Sequence, residues 1–86
     1  MRTDLETLKQ VVIETAKKSP MGEKLEGVEL ESDRYDETGD FLRVVIRLKK
    51  ADESDRPALA KLIEAIEDAV GELDDRYPSV RFPDAA

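Results

Sequence analysis

The sequence predicts an α+β fold, a two-layer sandwich in which a three-stranded sheet carries two helices on one face. Three observations lead there. Apolar residues recur at spacings of three and four in two segments, Leu5 to Ala16 and Leu59 to Tyr77. They alternate with charged residues at a period of two in residues 28–35 and 41–49. Turn-forming residues separate the segments at Ser19-Pro20-Met21-Gly22, Asp36-Glu37-Thr38-Gly39-Asp40, Asp52 to Pro57, and Tyr77-Pro78. The element order is then α-β-β-α-β.

The first helix opens on Thr3-Asp4-Leu5-Glu6, which fits a capping box with Thr3 as the cap and Glu6 reaching back. Leu5, Leu8, Val12 and Ala16 mark its apolar stripe. Lys17 and Lys18 suit the negative end of the helix dipole, and Pro20 stops the helix.

The next two segments read as a hairpin. Val28 to Tyr35 starts with apolar residues on even positions and acids on odd ones. Phe41 to Lys49 has Leu42, Val44, Ile46 and Leu48 on even positions and Arg43, Arg47 and Lys49 on odd ones. A register pairing Tyr35 with Phe41 sets Asp33 against Arg43, Glu29 against Arg47, Leu30 against Ile46 and Val28 against Leu48. Each such pair contributes about 0.2–1 kcal/mol.

The second helix is capped by Ser54 or Asp55 and tolerates Pro57 in its first turn. Leu59, Leu62, Ile63, Ile66, Ala69, Val70, Leu73 and Tyr77 fall on one face. Glu64, Asp68, Glu72 and Asp75 fall on the other, with Glu67 and Asp74 beside them. A short strand, Ser79 to Phe82, buries Val80 and Phe82. A strand order of 3-1-2 is expected. It would put the acidic first strand between Arg43, Arg47 and Lys49 on one side and Arg81 on the other.

At 86 residues the chain is one small domain, 1–86, with 83–86 expected to fray. It has 21 Asp and Glu against 14 Lys and Arg, a net charge of −7, and neither His nor Cys. That composition excludes a zinc finger, haem or iron–sulfur ligation, a thiol nucleophile, a disulfide framework and a Ser-His-Asp triad. The acidity argues against duplex nucleic acid as a partner, because such binders need clustered basic residues. With only Tyr35 and Phe41 as stacking platforms on the sheet, RNA is not an expected partner either. No apolar run approaches the roughly 20 residues of a membrane span, and the first residues lack the apolar core of a signal peptide. A cytoplasmic location is therefore expected, and the absence of cysteine fits a reducing compartment.

The element order is similar to that of the small cytoplasmic domain at the C-terminus of cation-diffusion transporters. Such domains often bind metal through His, a residue type this chain does not contain.

These features lead to the expectation of a non-enzymatic protein-interaction or regulatory module. No cofactor or metal site is expected, and the partner is a basic protein or a second copy in a homodimer. The residues expected to carry partner binding are Glu64, Glu67, Asp68, Glu72 and Asp75. One alternative is a divalent-cation or small-anion module. It would use the four carboxylates of the loop Asp33 to Asp40, or Arg43, Arg47, Lys49 and Arg81. Another is a small enzyme working through carboxylates alone.

Overall fold

In a computed structural model that describes residues 3–34 and 39–83, the chain forms α1 (Leu5–Lys18), β1 (Leu25–Arg34), β2 (Asp40–Leu48), α2 (Arg56–Gly71) and β3 (Tyr77–Arg81). Single 3-10 turns occupy Gly22–Lys24 and Glu53–Asp55. This is the expected α+β architecture. β1 and β2 pair antiparallel, β2 and β3 parallel, and the helices cover the even-numbered face of β2.

The core follows the two periodicities. Leu42, Val44, Ile46 and Leu48 of β2 are buried, as are Leu8, Val12 and Ala16 of α1 and Leu59, Leu62, Ile66 and Val70 of α2. Met21 and Val28 complete it.

The strand order is β1-β2-β3, not 3-1-2. β2 is the one strand with four buried residues, and Phe41, Arg43 and Val45 on its other face are half-buried. β1 buries only Val28. A strand covered on one flank alone belongs at an edge, so hydrophobic burial overrides the charge pattern. Pro78 of β3 has no amide to donate, which suits the other edge. Arg43 and Arg47 already neutralise the acids of β1, so Arg81 is not needed beside that strand.

The hairpin register differs from the expected one by two residues. Asp33 faces Phe41, Glu31 faces Arg43, Glu29 faces Val45 and Val28 faces Ile46. A shift of two keeps every side chain on its face, whereas a shift of one would not. The expected ion pairs Arg43–Asp33 (2.6 Å) and Arg47–Glu29 (2.8 Å) both form, as diagonal neighbours. The register slips by one more residue between Leu25 and Gly27. Tyr35, which the expected register pairs with Phe41, lies outside the described residues.

Helix ends also depart from expectation. Asp4, not Thr3, caps α1: its carboxylate accepts from the Thr7 amide and hydroxyl, each at 2.9 Å. Thr3 is drawn elsewhere, because its hydroxyl donates to the Leu73 carbonyl and its amide to Asp74. Asp55 is the cap residue of α2, but its carboxylate binds Lys24 at 2.7 Å and the Asp52 amide at 3.0 Å instead of the helix.

α2 stops at Gly71 with Glu72 as its C-cap, short of the expected Tyr77. The Asp74 carboxylate accepts from the Arg76 amide two residues on, a local turn that competes with further helix. Leu73 still packs against the core, whereas Tyr77 is 64% exposed at the start of β3. In β3 it is Pro78 that is buried and Val80 is half-buried, as is Phe82 just beyond the strand.

Gly22 sits where a Cβ would press on the backbone carbonyl of Lys17 at the end of α1. The obstacle is backbone and cannot swing aside. Gly22→Ala is therefore expected to destabilise the fold by about 1–3 kcal/mol, read as a lower urea midpoint with an unchanged slope. An unchanged midpoint would contradict the close approach.

Candidate functional site

The outward face of α2 presents Glu64 and Asp68, both exposed, whose carboxylates have no hydrogen-bond or ion-pair partner among the described residues. Glu72 extends the row from the C-cap position, again exposed and with an unpartnered carboxylate. Spaced four residues apart, the three repeat about every 6 Å along the axis. Like charges at this spacing repel. The last turn of α2 contains no basic residue, so Asp68 and Glu72 also oppose the negative end of the helix dipole.

The other two expected residues sit apart from that row. Glu67 is half-buried on the flank nearest β3 and accepts from the Tyr77 hydroxyl at 3.1 Å, which pushes the phenol above its ordinary pKa. Asp75 lies beyond the helix, in the turn before β3, where its charge acts on the Arg76 guanidinium.

Asp74 belongs to a different constellation. It is buried, at 5% exposure, with Arg76 at 9%. The guanidinium grips it bidentately: Nε donates to Oδ1 at 2.8 Å and Nη2 to Oδ2 at 2.7 Å. The Thr3 amide donates to the same carboxylate at 2.9 Å. Arg76 also donates to the Thr3 carbonyl and to the Ser32 hydroxyl, each at 3.1 Å. The bond from Arg76, with help from the Thr3 and Arg76 amides, holds the Asp74 carboxyl well below the usual carboxylate range. The pair ties α1, β1 and the α2–β3 connection together. The motif Asp74-Asp75-Arg76 is the one signal of it in the sequence, because Thr3 and Ser32 are distant along the chain.

The open sheet face is internally matched. Arg43 binds Glu31 at 2.8 Å and Asp33 at 2.6 Å, and its guanidinium lies 5.7 Å from the Phe41 ring centroid. The hydrogen bond to Glu31 is the main reason its pKa is raised. Arg47 is held by Glu29. These two arginines are therefore already committed, and Lys49 and Arg81 remain exposed.

The expected cation loop runs from Asp33 to Asp40, and its residues 35–38 lie outside the described residues. Of its described carboxylates, Asp33 serves Arg43 and the Arg34 amide, and Asp40 lies 3.8 Å from Arg34. Among the described residues no three acids come together as a metal cage, and no helix is long and apolar enough to cross a membrane.

No family model matches the chain, and no curated protein does. Solved structures share its fold. The copper form of the MamM CTD superposes with a TM-score of 0.53 at 16% sequence identity, covering 93% of this chain and 87% of its own. A histidine-to-alanine variant of the MamM-CTD gives a TM-score of 0.48 at 19% identity, covering 94% and 100%. The first likeness bears on the fold alone.

Proposed function

We propose that this chain is a non-enzymatic, cytoplasmic interaction module that captures a basic protein partner on the outer face of α2. The observation that supports it most is the contrast between two acidic surfaces. On the sheet, Glu29, Glu31 and Asp33 are each matched by an arginine. Along α2 and its C-cap, the carboxylates of Glu64, Asp68 and Glu72 have no such partner among the described residues, and the last two run against the helix dipole. Glu67 and Asp75 flank that row and widen the negative field. A basic partner would relieve the repulsion and be steered to the surface at low salt.

Self-association belongs to the same reading. β1 and β3 each have a single neighbouring strand, so their outer edges are open to a second copy.

The divalent-cation alternative draws on the fold likeness to a domain solved in a copper form. Copper favours imidazole and thiolate ligands, and this chain has neither His nor Cys. A hard cation would need the hairpin loop, whose described acids are already engaged. The carboxylate-enzyme alternative could draw on the cleft lined by Glu29 and Glu31, but Arg47 and Arg43 already hold those two acids.

The test is capture from a lysate of the native organism by the tagged chain and by the pair of substitutions Glu64→Lys and Asp68→Lys. Capture of a basic protein, lost on washing at moderate salt and reduced roughly tenfold or more in the variant, is the expected result. Both substituted residues are exposed, so thermal melting should be nearly unchanged. Equal capture by the variant would mean that the face is only solvated.

A further inference from the structure

A cleft of about 340 Å³ runs between the C-terminal end of α1 and the middle of α2, lined by Thr15, Lys18, Pro20, Lys61, Leu62 and Ala65 among others. We infer that this cleft binds a small amphipathic anion, an apolar chain or ring bearing one carboxylate or a comparable acid group.

What the cleft can bind depends on which of its groups remain unsatisfied. The Thr15 hydroxyl is already committed to the Val11 carbonyl at 2.7 Å. Ser19 also lines the cleft, and its hydroxyl donates to the Ala16 carbonyl at 2.6 Å and accepts from the Met21 amide at 3.1 Å. Neither has a hydrogen left to donate to an anion. The other lining residues, Pro20, Leu62 and Ala65, are apolar. The polar groups still available are the ammonium ends of Lys18 and Lys61, both exposed and without partners among the described residues.

Two lysines in an otherwise largely apolar lining select a ligand with an apolar body and an anionic head. The volume lies at the lower end of the roughly 300–1,000 Å³ of ligand sites, so the body is short. The chain as a whole carries a charge of −7 and repels anions. Binding of a small carboxylate must therefore come from local geometry. This site is separate from the acidic row of α2, and its occupation does not depend on a protein partner.

The probe is octanoate, added to the full chain labelled with nitrogen-15 and followed by amide shifts, with octan-1-ol as the uncharged control. The expected result is saturable movement of the amides of Thr15, Lys18, Ser19, Lys61, Leu62 and Ala65. Octanol should bind more weakly, and Lys18→Gln with Lys61→Gln should weaken octanoate about three- to tenfold. A control of equal charge change, Lys9→Gln with Lys50→Gln, should leave octanoate binding close to that of the parent. Shifts that scatter over the surface without saturating would overturn the inference. So would equal binding of octanol, or equal effects of the two double variants.

Discussion

Arg76→Ala is expected to destabilise the domain by about 3–5 kcal/mol, because it leaves a fully enclosed carboxylate without its counter-charge. For a chain this short each kcal/mol moves Tm by about 4–8 °C, so melting should fall by roughly 12 °C or more. The loss goes beyond the ion pair. Arg76 also holds the Thr3 carbonyl and the Ser32 hydroxyl, so removing it loosens the start of α1 and the far end of β1 together. Replacing both partners with apolar residues, Asp74→Leu with Arg76→Met, should recover much of the loss. No bare charge would then remain. A double variant less stable than Arg76→Ala would mean that the polar network, not the buried charge, dominates.

The same pair sets an acid limb of stability. The Asp74 carboxyl titrates lower in the folded chain than in the unfolded one. Its contribution is therefore present in full above the unfolded value of about 4, and is lost as pH falls from there through the folded value. Asp74→Asn should flatten this limb while lowering stability at neutral pH, as urea midpoints measured across the acid range would show.

Ile46→Ala should cost about 2–5 kcal/mol, whereas Leu30→Ala on β1 should cost less than about 1.5 kcal/mol. Ile46 is fully enclosed on the central strand, opposite Val28 and under both helices. Leu30 is half-buried on an edge strand. Denaturant midpoints at constant slope would rank the two. The ranking tests the strand order directly, because a central β1 would reverse it.

What could be read from the sequence was whatever a short window encodes. The even positions of β2 and the stripe Leu59, Leu62, Ile66 and Val70 are buried where the two periodicities place them. The faces of the hairpin survive a register error of two residues, since side-chain direction depends only on parity. The strand order was not legible, because opposite charges on β1 and β3 suggest a pairing that burial of β2 overrules. The end of α2 was missed for a related reason. Leu73 and Tyr77 keep the helical spacing by position alone, while Asp74 turns the chain through bonds to Arg76 and to Thr3, a residue 71 positions away.

The expected interaction residues divided along the same line. Glu64, Asp68 and Glu72 share an outward row that helical spacing foretells. Glu67 turned out to serve Tyr77, and Asp75 fell outside the helix. No local signal distinguishes an exposed acid that repels its neighbours from one that meets a partner across the fold.

The central claim is that the acidic row of α2 is the partner surface. It is tested most directly by amide spectra of the labelled chain with and without the captured basic protein, at low and at high salt. The account predicts shifts centred on Glu64, Asp68 and Glu72 that disappear as salt rises. Shifts confined to the open sheet face or to the outer edge of β1, with the α2 row unmoved, would contradict it.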